Sequence, residues 1–132
     1  MNDRYLFKAK HIHILKNSHL DGIWVKGYLV DEKYIVSAKD GYEFLIDPRT
    51  ICQCTGLKDM NGKLIWENDI VRIIYDGNEH VYQVIWDNEE LNFWTTNGKG
   101  NYGSNFAYIP CCEEIEVIGN KFDNPELLES EE

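Results

Sequence analysis

The segment TGLKDMNGKLIWENDIV, from Thr55 to Val71, contains two turn signals followed by the start of a strand. Asn61 and Gly62 can occupy two consecutive positions of positive φ at little steric cost, as a type I′ turn requires. The carboxylate of Asp59 can accept hydrogen bonds from backbone amides of the same turn, and Asp69 can do so at the head of the following strand. We therefore predict that these side chains shape the main chain and do no chemistry.

An alternative interpretation makes Asp59, Glu67 and Asp69 a metal-binding or acid–base set of carboxylates. The segment offers no histidine beside them, and no serine or lysine in a recognisable nucleophile context. Asp and Asn are the residues expected at such turns, because their short polar side chains bond to nearby backbone. We favour the structural interpretation and predict no catalytic, cofactor-binding or metal-binding residue.

Short runs of β-branched and aromatic residues, separated by turn signals, recur on both sides of this segment, and helical periodicity is nearly absent. Gly27 interrupts one run and indicates a bulge or a close backbone approach. Residues 76–79 contain Asp-Gly and predict a hairpin between the runs on either side. Asn124 and Pro125 predict a single helical turn, as its cap and its first residue. The runs cover residues 10–15, 23–30, 34–37, 42–46, 69–75, 80–86, 91–95 and 115–118.

Many short strands with frequent turns favour a barrel or a sandwich. We predict a mainly β protein with an N-terminal β-rich (α+β) lobe over residues 1–49, packed on a small SH3-like barrel over residues 50–122. Closure of the barrel would leave few strand edges open to aggregation. Residues 123–132 are predicted to form a short acidic tail.

The chain has 132 residues and a formal net charge of −10. Nucleic-acid binding depends on neutralising phosphates with Lys and Arg, and the basic residues look scattered along the sequence. We therefore predict no direct nucleic-acid binding and attribute the acidity to solubility. No apolar run approaches the roughly 20 residues of a membrane-spanning helix, and the start lacks an apolar signal core, so a cytoplasmic location is predicted.

Four cysteines lie in two tight pairs, Cys52/Cys54 and Cys111/Cys112. A zinc site built from all four, with help from His11 and His13, is one interpretation. Structural zinc sites usually place two to four residues between paired cysteines, whereas adjacent cysteines in a strand point to opposite faces. We favour buried, reduced, small apolar side chains.

Other polar and aromatic groups also admit a functional and a structural interpretation. The histidines could be bases or ligands. His11 and His13 are predicted to lie on the outer face of a strand. We interpret all four histidines, including His19 and His80, as solvated side chains. The tryptophans could form a stacking platform, but core packing is favoured. The glycine-rich residues 97–105 lack a phosphate-loop pattern. The four tryptophans are Trp24, Trp66, Trp86 and Trp94.

The central segment, extended back to Cys52, resembles the signature of the YopX-like phage proteins, which reads approximately QYTGLKDKNGKEIYEGDIV. The ending EVIGN at 116–120 and NPELL at 124–128 resembles the family's EVIGNIYENPELL. Asn68 stands where the family usually has glycine, and Asn also visits the left-handed region. The family's N-terminal aromatic segment is represented only by Phe7–Lys10. The motif residues are Thr55, Gly56, Leu57, Asp59, Asn61, Gly62, Glu67, Asp69, Gly119, Asn120 and Pro125.

This resemblance implies a protein of a bacteriophage or prophage with an SH3-like C-terminal part, and it supplies no catalytic residue or cofactor. The expected function is a non-enzymatic accessory protein that binds another macromolecule, with an unknown protein partner and with self-association into a homo-oligomer possible. One alternative is an acidic inhibitor that imitates DNA and occupies a host nucleic-acid enzyme. Another is a small divalent-metal enzyme that uses Asp59, Glu67 or Asp69.

Overall fold

The structure, a computed structural model, describes residues 5–12, 22–75, 77–87, 92–96, 106–108, 112 and 114–129. In these ranges the chain is almost entirely β, which confirms the predicted mainly β class. The strands are antiparallel and belong to two sheets. They are β1 Phe7–Lys10, β2 Trp24–Val30, β3 Tyr34–Ser37, β4 Glu43–Leu45, β5 Cys52–Lys58, β6 Leu64–Trp66, β7 Asp69–Tyr75, β8 Asn78–Asp87, β9 Asn92–Thr96, β10 Phe106–Tyr108 and β11 Glu114–Asn120. A 3-10 turn covers Pro48–Thr50 and a one-turn helix, α1, covers Glu126–Glu129.

The chain divides into two compact units between Cys54 and Thr55, within β5. The first half of β5 pairs with β1. The second half of β5, which belongs to the second unit, lies beside β6. The predicted boundary lies earlier in the chain, between residues 49 and 50. The described part of the C-terminal segment belongs to the second unit, where α1 contacts β8. No helix in the described ranges is long and apolar enough to cross a membrane.

The first unit is built on strands in the order β4-β3-β2-β1-β5. Its core is formed by Ala9, Ile35 and Ile46, which are almost fully buried. The chain after β4 returns to the end of β1, where the Asp47 N–H donates to the Lys10 carbonyl (2.9 Å). The strand predicted at residues 10–15 is displaced: β1 covers Phe7–Lys10 and His11 forms only an isolated bridge with Ile46. Residues 13–15 of the predicted strand lie outside the described ranges.

The face of this sheet opposite the core carries three lysines. In the register of β1 and β2, Lys8 lies opposite Lys26 and Lys10 lies opposite Trp24, while Ala9 points to the core between them. Because side chains alternate along a strand, these four residues share one face. The interpretation that the basic residues form no cluster is therefore wrong, since strand pairing brings together lysines that are 16 to 18 positions apart.

Gly27 lies where β2 and β3 approach most closely. A Cβ atom at this position would overlap the Val36 carbonyl group and would lie 3.0 Å from the Ala38 nitrogen. The neighbouring atoms belong to the backbone of β3 and its following turn, so they cannot rotate away as a side chain does. The predicted close backbone approach at Gly27 is confirmed.

The second unit contains a five-stranded sheet in the order β10-β9-β8-β7-β11, with β6 beside the second half of β5. Its core is rich in β-branched and aromatic residues, and Trp86 meets Phe93 edge to face at 5.0 Å. Trp66 is buried, whereas Trp24 in the first unit and Trp94 are half-buried. Core packing therefore accounts for Trp66 and Trp86. The core residues are Ile65, Val71, Ile73, Tyr82, Val84, Phe93 and Ile115.

The predicted hairpin between β7 and β8 is confirmed, with a shorter connection than expected. Tyr75 pairs with Asn78, so β8 begins two residues earlier than the predicted connection of residues 76–79 allows. Gly77 has φ of 80°, a left-handed conformation that glycine adopts without strain. Strands β6 and β10 were not predicted, because runs of three residues are too short to show an alternating pattern.

The C-terminal end of β11 contains a bulge between Val117 and Gly119. Asn124 packs against Gly119, and its side-chain oxygen accepts a hydrogen bond from the Asn120 N–H (3.3 Å). The single helical turn predicted here is present, and the Asn124 carbonyl accepts a hydrogen bond from the Leu127 N–H (3.1 Å) at its start. Asn124 therefore begins the helical turn with its backbone and links it to β11 with its side chain.

Candidate functional site

The turn between β5 and β6 is a three-residue loop, Met60-Asn61-Gly62. The Asp59 N–H donates to the Lys63 carbonyl (2.8 Å), and the Gly62 N–H donates to the Asp59 carbonyl (3.0 Å). Gly62 has φ of 81°, and Asn61 is not among the residues of positive φ. The type I′ prediction is therefore wrong. The loop matches the three-residue hairpin connection in which a left-handed glycine closes the turn.

The Asp59 carboxylate organises this loop. Its Oδ1 accepts hydrogen bonds from the Asn61 and Lys63 amides, both at 2.9 Å. The Asn61 contact is an Asx turn, which stabilises an ordinary turn before the glycine and explains why Asn61 keeps a negative φ. Asp59 thus shapes the backbone inside its own turn.

The same carboxylate joins the loop to β11. Its Oδ2 accepts a hydrogen bond from the Val117 N–H (2.9 Å), and the Met60 N–H donates to the Ile115 carbonyl (2.9 Å). Together these bonds cover backbone groups on the side of β11 that does not face β7. An uncovered strand edge is a template for pairing with another chain, so the loop closes this edge.

The environment of Asp59 keeps it ionised. Burial by itself raises the pKa of its carboxyl group, and the amides of Val117, Lys63 and Asn61 together with the Lys63 charge outweigh that effect, so the pKa lies below its ordinary value. Asp59 as a whole residue is only 7% exposed. A carboxylate that is engaged by three amides and has a lowered pKa is poorly suited to proton transfer near neutral pH.

The second turn of the central segment is held by Asp69 and Asn68. Asp69 is buried, and its Oδ2 accepts a hydrogen bond from the Trp66 N–H (2.8 Å). Asn68 has φ of 71°, and its side-chain oxygen accepts a hydrogen bond from Gln83 Nε2 (3.0 Å). The left-handed residue therefore ties the turn to β8.

Replacement of Asn68 tests this arrangement. We expect Asn68→Ala to lower the free energy of unfolding by about 1–2 kcal/mol, because alanine is strained in the left-handed region and lacks the bond to Gln83. Asn68→Gly is expected to stay within about 0.5 kcal/mol of the wild type, because glycine relieves the strain while losing the bond. Urea unfolding followed by tryptophan fluorescence measures both. Equal losses for the two variants would contradict a role for the positive φ.

The remaining motif residues lie at three places in the second unit. Thr55 Oγ1 donates to the Ile65 carbonyl (2.7 Å), and Gly56 has φ of 80° beside the exposed Leu57. Glu67 is half-buried in the second turn. At the end of β11, Asn120 Oδ1 accepts hydrogen bonds from the Phe122 and Asp123 amides, both at 2.9 Å. The structure thus separates these residues into local turns.

The five-stranded sheet carries a charged surface that the order of residues in the sequence does not indicate, and we call it the Arg72 surface. The guanidinium of Arg72 forms ion pairs with three glutamates that reach it from β8 and β11, and its Nη2 lies 3.7 Å from the sulfur of Met60. These contacts raise the pKa of Arg72, with Glu116 the largest cause. The ion pairs join Arg72 to Glu116 (3.0 Å), Glu79 (3.1 Å) and Glu114 (3.3 Å).

The Arg72 surface adjoins the loop that Asp59 organises. Asn61 Nδ2 lies 3.5 Å from Glu116 Oε2, and Met60 in the same loop is 56% exposed. One guanidinium that engages three carboxylates leaves this surface acidic. It therefore presents ordered carboxylates around a cation, next to an exposed flexible apolar side chain.

The histidines and cysteines are accounted for by packing where the structure describes them. His11 is half-buried, and its Nδ1 lies 2.8 Å from the Leu45 carbonyl, to which it donates, so the solvated interpretation is wrong for this residue. His80 stacks on Tyr82. Cys52 and Cys54 are buried, as predicted.

Several predicted groups fall outside the described ranges: His13, His19, Cys111 and residues 97–105. Cys112 is half-buried. Among the described residues, no three or more His, Cys, Asp or Glu side chains are grouped so that they could hold a metal ion. Asp59 and Asp69 serve separate turns, each through backbone amides.

A family model described as YopX protein matches residues 3–129, which is nearly the whole chain. A search of curated proteins found no match.

Proposed function

The chain belongs to the YopX protein family, and we propose that it is a non-enzymatic accessory protein, encoded by a bacteriophage or prophage, that acts in the host cytoplasm by binding a protein partner. The Arg72 surface carries this proposal. It combines ordered charged groups with an exposed methionine, a residue that adapts to varied binding surfaces, and it contains no nucleophile paired with a base.

The partner expected at this surface is a protein with a basic face. Residues 55–132 contain five Lys and Arg against sixteen Asp and Glu, a net charge of −11, whereas residues 1–54 contain eight against seven, a net charge of +1. The second unit therefore carries the acidity of the chain. Complementary charge steers association and selects among partners.

We further propose that the second unit is an SH3-like small barrel. The sheet order β10-β9-β8-β7-β11 supports this, because four sequential strands form a meander and the last strand returns beside the first. That order is the one found in SH3-like barrels, which serve as scaffolds for binding surfaces with many different roles.

Affinity capture from lysogenic cells tests the proposed function. The tagged full-length protein is compared with Glu79→Gln/Glu114→Gln, which removes two exposed charges of the Arg72 surface. A matched control, Glu32→Gln/Glu126→Gln, removes two exposed charges elsewhere. We expect a partner recovered with the wild type and the control to be depleted at least fivefold with the first variant.

Two outcomes would contradict the proposal. Equal recovery with both variants would mean that the Arg72 surface does not bind the partner. Turnover of a metabolite by the purified protein, abolished by Asp59→Asn, would replace the binding function with an enzymatic one. Capture of a host nucleic-acid enzyme, with competition by DNA for the same site, would favour the DNA-mimicking alternative.

A further inference from the structure

The first unit carries a basic and aromatic surface that the proposed function does not use. We call it the Lys–Trp face and define it by Lys8, Lys10, Trp24, Lys26 and Tyr28. Alternation along β2 places Trp24, Lys26 and Tyr28 on one side of the strand, and the register with β1 adds the two other lysines to that side. Lys26 and Tyr28 are exposed, and the other three are half-buried.

The geometry gathers positive charge around a flat ring. The Nζ of Lys8 lies 4.9 Å from the centroid of the Trp24 ring, and the Nζ of Lys10 lies 5.5 Å from it. Both distances are within the range of cation–π attraction. Tryptophan therefore holds two ammonium groups at its ring, while Lys26 adds a third positive charge directly opposite Lys8.

Like charges directly opposite each other are unfavourable in an antiparallel pair, so an anionic ligand would stabilise the position where Lys8 and Lys26 face each other. The arrangement is also local. At physiological ionic strength exposed charges are screened beyond about 8 Å, so a strongly acidic chain can still present a basic patch at short range. The carboxylate of Glu43 lies on the same face, but on the edge strand β4, beyond β3.

We propose that the Lys–Trp face binds single-stranded nucleic acid, with the lysines contacting phosphates and with Trp24 and Tyr28 stacking on bases. The combination of backbone-tracking positive charge and aromatic rings is the one by which proteins bind single strands without sequence preference. An acidic protein segment would use the lysines but has no flat base for the rings. The aromatic members of the face therefore favour a nucleic acid over an acidic peptide.

The test uses the full-length protein and a fluorescently labelled 15-nucleotide oligothymidylate, with fluorescence anisotropy at 50, 100 and 200 mM salt. Lys8→Gln/Lys10→Gln/Lys26→Gln is compared with Lys33→Gln/Lys39→Gln/Lys58→Gln, a control of equal charge change at exposed positions elsewhere. We expect the first variant to raise Kd at least tenfold at 50 mM salt and the control to change it less than threefold. The salt slope of log K should fall by about 2 for the first variant, since a single strand contributes about 0.7 for each neutralised phosphate.

The aromatic contribution is tested separately. Trp24→Leu is expected to raise Kd about tenfold, and Trp24→Phe, which keeps a ring, is expected to restore most of that loss. Circular dichroism confirms that each variant remains folded. Absence of binding by the wild type at 50 mM salt would overturn the proposal, as would equal losses in the two lysine triples. Equal competition by poly-glutamate and unlabelled oligothymidylate at matched charge would assign the face to an acidic protein partner and would also overturn it.

Discussion

Asp59→Ala is expected to lower the free energy of unfolding by about 3 kcal/mol or more. The carboxylate accepts hydrogen bonds from three backbone amides, two within its turn and one from Val117 on β11. Each hydrogen bond to a charged group contributes about 1.5–3 kcal/mol to the stability of the folded state, and such contributions are not additive. A buried amide left without a partner lowers that stability by about 1–3 kcal/mol. Urea unfolding followed by circular dichroism and tryptophan fluorescence measures the change.

Asp40→Ala is the matched control. Asp40 accepts one amide bond, from Tyr42 (3.0 Å), at an exposed turn, so its replacement is expected to cost less than about 1 kcal/mol. A second variant, Asp59→Asn, keeps the oxygen that serves Asn61 and Lys63 but points an amide group at the Val117 N–H. It is expected to fall between wild type and Asp59→Ala. Similar losses at residues 40 and 59 would contradict the special role of the link to β11.

The pH dependence of stability gives an independent measurement on Asp59. The pKa of its carboxyl group is lowered in the folded protein, while the unfolded chain has a value of about 3.9. The unfolded state therefore binds the proton more readily, and the stabilisation is fully present above about pH 4. It is lost as the pH falls from about 4 through the folded pKa. Asp59→Asn should show a flatter decline of stability in that window than the wild type.

Gly27→Ala is expected to destabilise the first unit by about 3 kcal/mol. The added methyl group would overlap the Val36 carbonyl on β3 and crowd the Ala38 nitrogen. Overpacking usually costs about 1–3 kcal/mol, and here the obstacle is backbone that can move only by separating β2 from β3. Hydrogen exchange of the β2 and β3 amides, together with urea unfolding, should show the loss.

Gly41→Ala separates crowding from backbone strain. Gly41 has φ of +78° and no atom within 4 Å of an added Cβ, so alanine there meets strain without a clash and is expected to cost about 1–2 kcal/mol. Protection of the β2 and β3 amides should survive in Gly41→Ala and fall in Gly27→Ala. If both variants lowered stability equally and left those amides protected, the close approach of the two strands would not be limiting.

Much of the fold could be predicted from the sequence because its signals are local. The β-branched runs of β2, β3 and β7 and the Asp-Gly between β7 and β8 act over neighbouring residues, and the structure contains the corresponding elements. The turn type at Asn61-Gly62 could not be predicted. Only Gly62 adopts a positive φ, because the Asx turn of Asp59 holds Asn61 in an ordinary turn conformation. The same carboxylate is held in place by the distant strand β11.

The sequence by itself determined the mainly β class, the hairpin, the role of Gly27 and the family, because alternation, turn chemistry and motif order depend on residues close together in the chain. Only the tertiary structure decided which side chains meet. Asp59 reaches an amide 58 positions away and Arg72 reaches a glutamate 44 positions away, and the facing lysines depend on the register of β1 and β2. Strand order and register arise from burial across the whole chain, so a charge pattern read in linear order does not show which charges share a surface.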